Sequence, residues 1–189
     1  MIAYIIIYLL FFTIGITMGS FFTLATYRIP LKQDITHTRS YCPNCNHRLE
    51  FLDLIPVLSF IFLGGKCRYC KEKISPRYII MELLSGLIYI FIILLLKIDF
   101  LNISTTEIIK LLYVTLLYGV CFIQVGIFAE KKQISLEVLI FGIIIQILYI
   151  TYLYILKFNI YRYIIYLILM CILLLIKVII KNRGNYENK

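Results

Sequence analysis

Long apolar stretches dominate this sequence and restrict what the chain can fold into. Five of them are long enough to cross a hydrocarbon core of about 30 Å as a helix, and they occupy residues 2–26, 79–96, 108–128, 134–156 and 160–180. The chain is 62% hydrophobic over 189 residues and has a mean hydropathy of +0.94, more than a soluble domain of this size needs for its core. We therefore predict an all-α integral membrane protein with about five transmembrane helices.

The first apolar stretch has the features of a retained helix. It has no cationic segment before it and no small-residue cleavage site after it, so we read it as a transmembrane helix and not as a removed signal peptide. Gly15, Gly19 and Ser20 recur near four-residue spacing on one face of this helix. Small residues allow close approach of a second helix, so this face is predicted to pack within the protein.

The distribution of charge predicts the orientation in the membrane. The net charge is +9, and the polar loop at residues 27–78 holds nine basic and four acidic residues. Basic loops stay in the cytoplasm, so we expect a multi-pass membrane protein with this loop in the cytoplasm and its N-terminus outside. Nucleic-acid binding is less well supported, because the basic residues flank membrane spans without a base-stacking pattern. The expected regions are a first transmembrane helix at 1–26, a cytoplasmic domain at 27–78 that contains four cysteines, a bundle of about four spans at 79–180 and a cytoplasmic tail at 181–189.

Four cysteines in two identical pairs give the loop its chemistry. The pairs are Cys42-Pro-Asn-Cys45 and Cys67-Arg-Tyr-Cys70, with 21 residues between them. Each pair places two thiolates on one side of a tight turn, and two such turns complete a tetrahedral zinc site. Disulfides would be the alternative if the loop lay outside the cell, and redox chemistry is a third option. A cytoplasmic location keeps thiols reduced, which favours zinc.

Three polar residues lie beside the cysteine pairs. Asp53 and Glu50 could be catalytic, or could orient the metal ligands or support the loop surface, and we favour the structural interpretation. His47 could be an alternative ligand, but four thiolates already complete a zinc shell.

An apolar run of ten residues, 54–63, lies between the cysteine pairs. It is too short to span a bilayer. It could form the core of the small zinc domain, or it could be an interfacial segment that rests on the bilayer. The second interpretation is favoured, because so small a domain has little core to offer.

Charged residues at the two junctions of the loop with the membrane are candidate site residues. Arg28 and Arg77 could anchor the loop by contact with lipid phosphates, and both are also candidates for binding a substrate. Glu82 falls a turn into an apolar helix, where an ionisable group is costly and so needs a reason. It could pair with Arg77 or Arg28, or it could contact a substrate amine or another group of a bound protein.

Several ordered motifs in the first half resemble the type IV prepilin peptidases. They are Gly19-Ser-Phe-Phe-Thr-Leu-Ala-Thr-Tyr-Arg-Ile-Pro30, Ser40-Tyr-Cys-Pro-Asn-Cys45, Leu52-Asp-Leu-Ile-Pro-Val-Leu-Ser59, Gly65-Lys-Cys-Arg-Tyr-Cys70, Ile74-Ser-Pro-Arg-Tyr78 and Glu82-Leu-Leu-Ser-Gly86. The resemblance implies an enzyme that cleaves a prepilin leader at the cytoplasmic membrane face. It also implies N-methylation of the new N-terminus with S-adenosylmethionine, and a role in type IV pilus, competence or type II secretion.

The second half of the chain departs from this family. The resemblance calls for two intramembrane aspartates, one acting as base and one as acid, but the only aspartates are Asp34, Asp53 and Asp99. The position that matches the first catalytic aspartate is Phe128, and Glu130 is two residues out of register. The Gly-x-Gly-Asp motif of the second aspartate does not occur. We therefore expect no peptidase activity by the family mechanism.

Three hypotheses follow for the function. The first is a divergent family member that lacks the aspartyl protease and retains pilin binding or N-methyl transfer. The second is a non-enzymatic membrane adaptor of a pilin-assembly machine, which could pair with an active paralogue that supplies the aspartates. The third is an active peptidase with non-standard acids, for which Glu130 and Glu137 are the candidates. Prepilin-like proteins and membrane lipids are the expected partners in each case, and the sequence leaves open whether the chain is an enzyme.

Overall fold

The computed structural model describes residues 2–100 and 102–187, with side chains described through residue 179. The described residues form six α-helices and no β-strand. The helices are α1 (Ile2–Arg28), α2 (Leu58–Phe62), α3 (Arg77–Leu96), α4 (Thr105–Lys131), α5 (Leu136–Ile155) and α6 (Tyr161–Glu187). The chain divides into two compact units, residues 1–111 and 112–189.

Five of the helices are long and apolar enough to cross a membrane. Their spans are Ile2–Leu31, Arg77–Leu96, Thr105–Lys131, Leu136–Ile155 and Tyr161–Ile179. The prediction of an all-α, multi-pass membrane protein with five spans is confirmed. The last span, Tyr161–Ile179, agrees with the predicted 160–180, and the helix that contains it continues through Glu187.

The first unit is built on close packing between α1 and α3. A Cβ atom added to Gly19 would lie 2.6 Å from the Cβ of Ser85, and one added to Gly15 would lie 2.8 Å from the Cα of Gly86. Neither distance is compatible with any residue larger than glycine without a shift of the helices. The small-residue face predicted for α1 therefore packs against α3.

The same pair of helices separates the polar loop from Asp99. At one end, Glu82 of α3 lies beside Gly19 of α1. At the other end, the Tyr4 hydroxyl donates a hydrogen bond of 2.8 Å to Asp99. Since α3 has 20 residues, the two ends lie about 30 Å apart. Asp99 therefore lies at the end of the pair opposite the loop.

In the second unit, a buried amide joins the later helices. Gln146 of α5 is fully buried; its Oε1 accepts a 2.6 Å hydrogen bond from the Tyr113 hydroxyl of α4. Its Nε2 donates a 2.8 Å bond to the carbonyl of Tyr163 of α6. The Tyr113 ring stacks on Tyr149 with 3.9 Å between the ring centroids. A polar group inside the span is satisfied by its neighbours, as burial away from water requires.

Candidate functional site

The two cysteine turns of the loop have the same backbone structure. In the first, the Cys42 N–H donates to the His47 carbonyl at 3.0 Å and the Asn46 N–H donates to the Cys42 carbonyl at 2.9 Å. The second repeats these bonds 25 residues later, from Cys67 to Glu72 at 2.8 Å and from Lys71 to Cys67 at 3.1 Å. Asn46 and Lys71 occupy the same left-handed position, with φ of 55° and 61°. Two similar turns thus present their thiols in the same way.

The four thiols converge on one point. The sulfur atoms of Cys42, Cys45, Cys67 and Cys70 all lie within 4.8 Å of one another, and all four cysteines are free thiols. The Cys42 and Cys70 sulfurs are 3.8 Å apart. A tetrahedral zinc ion with Zn–S bonds of about 2.3 Å requires about 3.8 Å between sulfurs. The cluster can therefore hold a metal ion, and its dimensions fit zinc.

The thiols differ in how readily they ionise. A hydrogen bond from the backbone of Cys45 lowers the pKa of the Cys42 thiol to about 7. At Cys70, a backbone bond from Glu72 favours the thiolate, but loss of hydration and the neighbouring thiols outweigh it and raise the pKa to about 12. The Cys42 thiol thus ionises easily, whereas the neighbouring sulfur atoms disfavour ionisation of the Cys70 thiol. A bound cation would stabilise both thiolates, because thiols must lose their protons to bind a metal.

Asp53 stabilises the second cysteine turn through hydrogen bonds. Its side chain is only 3% exposed and accepts a 2.6 Å bond from Arg68 Nε, together with bonds from the backbone of Glu50 at 3.1 Å and the Tyr69 hydroxyl at 3.3 Å. Burial alone would raise the pKa of Asp53, but Arg68 and the backbone of Glu50 hold it below its usual value. These contacts suit the structural interpretation of Asp53.

His47 contributes to the loop by a tilted ring contact. Its ring lies 3.6 Å from the ring of Tyr69, centroid to centroid. Among the described residues, the sulfur cluster consists of the four cysteines without His47. The contact joins the first cysteine turn to the second, because Tyr69 lies between Cys67 and Cys70.

Glu82 links the membrane helices to the apolar run of the loop. Its Oε2 accepts a 2.8 Å bond from the backbone N–H of Val57, and its carboxylate also bonds to Ser20 of α1. Glu82 is 8% exposed. Val57 has φ of 64°, an unusual conformation for a β-branched residue. These partners differ from the ion pair with Arg77 or Arg28 that the sequence suggested.

The two arginines at the ends of the loop have different environments. Arg28 is 4% exposed and its guanidinium donates to the carbonyls of Asp34 at 2.9 Å, Thr38 at 2.8 Å and Arg39 at 3.4 Å. Arg28 therefore stabilises the first part of the loop through hydrogen bonds from a buried side chain. Arg77 begins α3 and is exposed.

The carboxylates considered for proteolysis differ in their own surroundings. Asp34 accepts bonds from the backbone N–H groups of Thr36 at 2.8 Å and His37 at 3.0 Å, which hold its pKa well below the usual range. Glu130 lies in the last turn of α4 and Glu137 in the first turn of α5, and both are exposed. Phe128, at the position matched to the first catalytic aspartate, is 51% exposed.

Sequence reasoning identified the thiols but missed the partners of Asp53 and Glu82. The Asp53–Arg68 pair spans 15 residues and the Val57–Glu82 pair spans 25, and neither spacing belongs to a local motif. The sequence contains one signal for Glu82: an ionisable residue in an apolar helix is costly and so requires a bonding partner. This signal does not identify the partner.

The first half of the chain is similar to one family of known proteins. Residues 13–96 match the Bacterial Peptidase A24 N-terminal domain. A prepilin leader peptidase/N-methyltransferase of Myxococcus xanthus is 44% identical over 78 residues, covering 41% of this chain and 23% of the relative. The same enzyme of Vibrio cholerae is 42% identical over 86 residues, covering 41% of this chain and 34% of the relative.

A third relative aligns with more of the chain. The prepilin leader peptidase/N-methyltransferase of Aeromonas salmonicida is 26% identical over 164 residues, covering 74% of this chain and 55% of the relative. The chain spans only about a quarter to a third of the length of the Myxococcus and Vibrio relatives. No solved structure matches. Residues 13–96, with their ordered motifs and converging thiols, are therefore similar to the N-terminal domain of the prepilin leader peptidase/N-methyltransferases.

Proposed function

We propose that this protein binds prepilin-like proteins at the cytoplasmic face of the bacterial inner membrane and does not cleave them by the two-aspartate mechanism. The observation that carries the proposal is the combination of a well-matched N-terminal domain with a second half that has Phe128 where the first aspartate is expected. The basic loop, with nine cationic and four acidic residues, supports the cytoplasmic orientation.

Zinc is the metal we assign to the four thiols. Cys42, Cys45, Cys67 and Cys70 would hold it, and zinc supplies a rigid cross-link without redox chemistry. The Asp53–Arg68 contact and the His47–Tyr69 ring contact already support the same turns. The thiols therefore stabilise the conformation of the loop, which forms a rigid surface beside the ends of α1 and α3.

The surroundings of the aspartates support the absence of two-aspartate cleavage. A catalytic pair shares one proton, so one member must have a raised pKa. The pKa values of Asp34 and Asp53 are both lowered instead. Asp99 follows the far end of α3, about 30 Å from the loop, and accepts a bond from Tyr4. All three aspartates thus have local structural partners.

N-methyl transfer is a second activity that the names of the relatives suggest. S-adenosylmethionine carries an ammonium, a sulfonium and a ribose, which call for carboxylate or carbonyl acceptors. A cavity of about 240 Å³ in the loop is lined by apolar side chains with Ser59 and Arg68, and by no carboxylate. This lining therefore offers no carboxylate to bind the ammonium or the sulfonium of the cofactor.

A processing assay with the purified chain in lipid membranes would test the proposal. A prepilin with a basic leader and an apolar helix is incubated with the chain, and mass spectrometry resolves leader cleavage from N-methylation. A photo-crosslinking arm measures binding. We expect a crosslinked complex with no cleaved product.

Other results would assign a different function. Cleavage that disappears in the Glu130→Gln or Glu137→Gln variant would overturn the proposal and show a carboxylate substitution. Methylation of pre-cut pilin without cleavage would make the chain a methyltransferase. Absence of any prepilin complex, with zinc still bound, would favour an adaptor that contacts other parts of a pilin-assembly machine.

A further inference from the structure

The loop exposes an unusually large apolar surface around α2. Phe51 is 81% exposed and Phe62 is 83% exposed, with Leu52 and Ile61 each at 59%. We call these four residues, together with Leu58, which is 49% exposed, the apolar patch. Fully exposed aromatic side chains clustered in one short stretch indicate a surface that is covered in use.

The run 54–63 does not form a core within the loop. None of its ten residues is buried, and neither α2 nor the short helical turn Phe51–Asp53 contributes a buried residue. Its main inward contact is the Phe60 ring, which would lie 2.9 Å from a Cβ added to Gly65. The loop therefore contacts this segment mainly through Phe60, and the other large apolar side chains of the segment point outward.

The position of the segment brings the patch to the level of the membrane helices. Val57, at the N-terminus of α2, bonds to Glu82, which lies in the second turn of α3. The loop is also fixed at both ends by α1 and α3, which span the bilayer. The apolar patch is thus held next to the N-terminal end of α3 through Val57 and Glu82.

The exposed charge around the patch is mostly positive, although the exposed carboxylates of Glu50 and Glu72 lie nearby in sequence and Arg68 is paired with Asp53. Leu52, Leu58 and Phe62 line the same cavity as Arg68, whose side chain is 45% exposed. Exposed cations also flank the patch in sequence at Arg48, Lys66, Lys71 and Lys73. Amphipathic segments of this kind lie in the headgroup region with apolar side chains about 5–10 Å deep, and each nearby cation adds attraction to anionic lipids.

We propose that the apolar patch inserts into the lipid leaflet beside the loop, so that the metal-binding loop lies on an anionic bilayer surface. The occupant is lipid rather than the apolar segment of a bound protein, because the patch is tethered to the bilayer at Glu82 and both loop ends. Insertion fixes the height of the thiol cluster above the membrane. The loop is then positioned by protein contacts on one side and by lipid on the other.

Single-tryptophan fluorescence tests this placement directly, since the chain contains no tryptophan. Phe62→Trp and Phe51→Trp are made in the full chain and reconstituted in nanodiscs of phosphatidylglycerol and phosphatidylcholine. Asn44→Trp, at an exposed position in the first cysteine turn, is the matched control, and Phe91→Trp, at an exposed position within α3, is the lipid-embedded reference. Cobalt–thiolate absorption checks that each variant keeps its metal site.

We expect blue-shifted emission from the two patch tryptophans, with quenching by acyl-chain bromines close to that of Phe91→Trp. Acrylamide should quench them several-fold less than Asn44→Trp. Replacing phosphatidylglycerol with phosphatidylcholine alone should weaken the shielding. Patch tryptophans as accessible to acrylamide as the control would overturn the proposal. So would shielding without bromine quenching, which would indicate burial in protein, or shielding only after a prepilin-like peptide is added.

Discussion

At the scale of single residues, the two cysteine turns have the same backbone conformation. They differ in the residue at the left-handed position, which tolerates that conformation better in the first turn than in the second. Asn46 and Lys71 occupy the same left-handed position. Asparagine tolerates this conformation, because its short polar side chain can bond locally, whereas other residues with a Cβ atom pay a steric cost of about 1 kcal/mol. The second turn is therefore held against some local strain by the bonds of Cys67, Glu72 and Lys71.

The Lys71→Asn variant should relieve that strain. We expect the loop to be stabilised by about 0.5–1 kcal/mol. Because folding and metal binding are coupled, the apparent zinc affinity should rise about two- to fivefold. Competition between the chain and a chromophoric chelator measures the affinity. Lys73→Asn removes the same charge from an exposed residue outside the left-handed region, and an equal gain in that control would attribute the effect to charge.

At the scale of elements, the seam between α1 and α3 depends on the absence of side chains. A Cβ at Gly19 would meet the Cβ of Ser85 at 2.6 Å and its Oγ at 3.1 Å. In a membrane, lipid is as apolar as the helices, so close packing of small residues supplies much of the attraction between them. The seam also fixes Glu82, and through Glu82 the position of Val57.

Gly19→Ala should destabilise the pair by about 1–3 kcal/mol, because the added methyl group overpacks the seam. Ser85→Gly removes the atoms that the methyl would meet, so the double variant should recover most of the loss. Unfolding in mixed micelles measures each free energy, and Thr17→Ala, on an exposed position of α1, is the control. Additive effects in this double-mutant cycle would show that the two residues are not in contact.

At the scale of the whole molecule, the first unit combines two kinds of stabilisation. The α1–α3 pair is held by apolar packing within the span, while the loop of residues 29–76 has few buried side chains and relies on its turns, the Asp53–Arg68 pair and the thiol cluster. A small domain with little core commonly needs a metal to fold. The two parts should therefore respond differently when metal is removed.

Chelation of zinc, or the Cys42→Ser/Cys67→Ser variant, should unfold the loop and leave the spans helical. The reason is that the free energy of zinc binding is the main folding free energy of such a loop, whereas the spans keep their backbone bonds in lipid. Hydrogen exchange should accelerate across residues 40–74 with little change in α3. The Cys171→Ser variant is the control. Unchanged exchange in the loop would show that it folds without metal.

The sequence by itself determined the helical membrane class, the five spans and the four converging thiols. These follow from local properties: the length of an apolar run and the spacing of cysteines within a turn. The tertiary structure alone decided that Glu82 bonds to Val57, that Arg28 turns inward to three carbonyls, and that Asp53 is buried against Arg68. Each of these choices joins residues whose separation follows no local period, so it depends on which surfaces pack together. Tertiary packing brings such residues within bonding distance, and their spacing along the sequence does not predict these contacts.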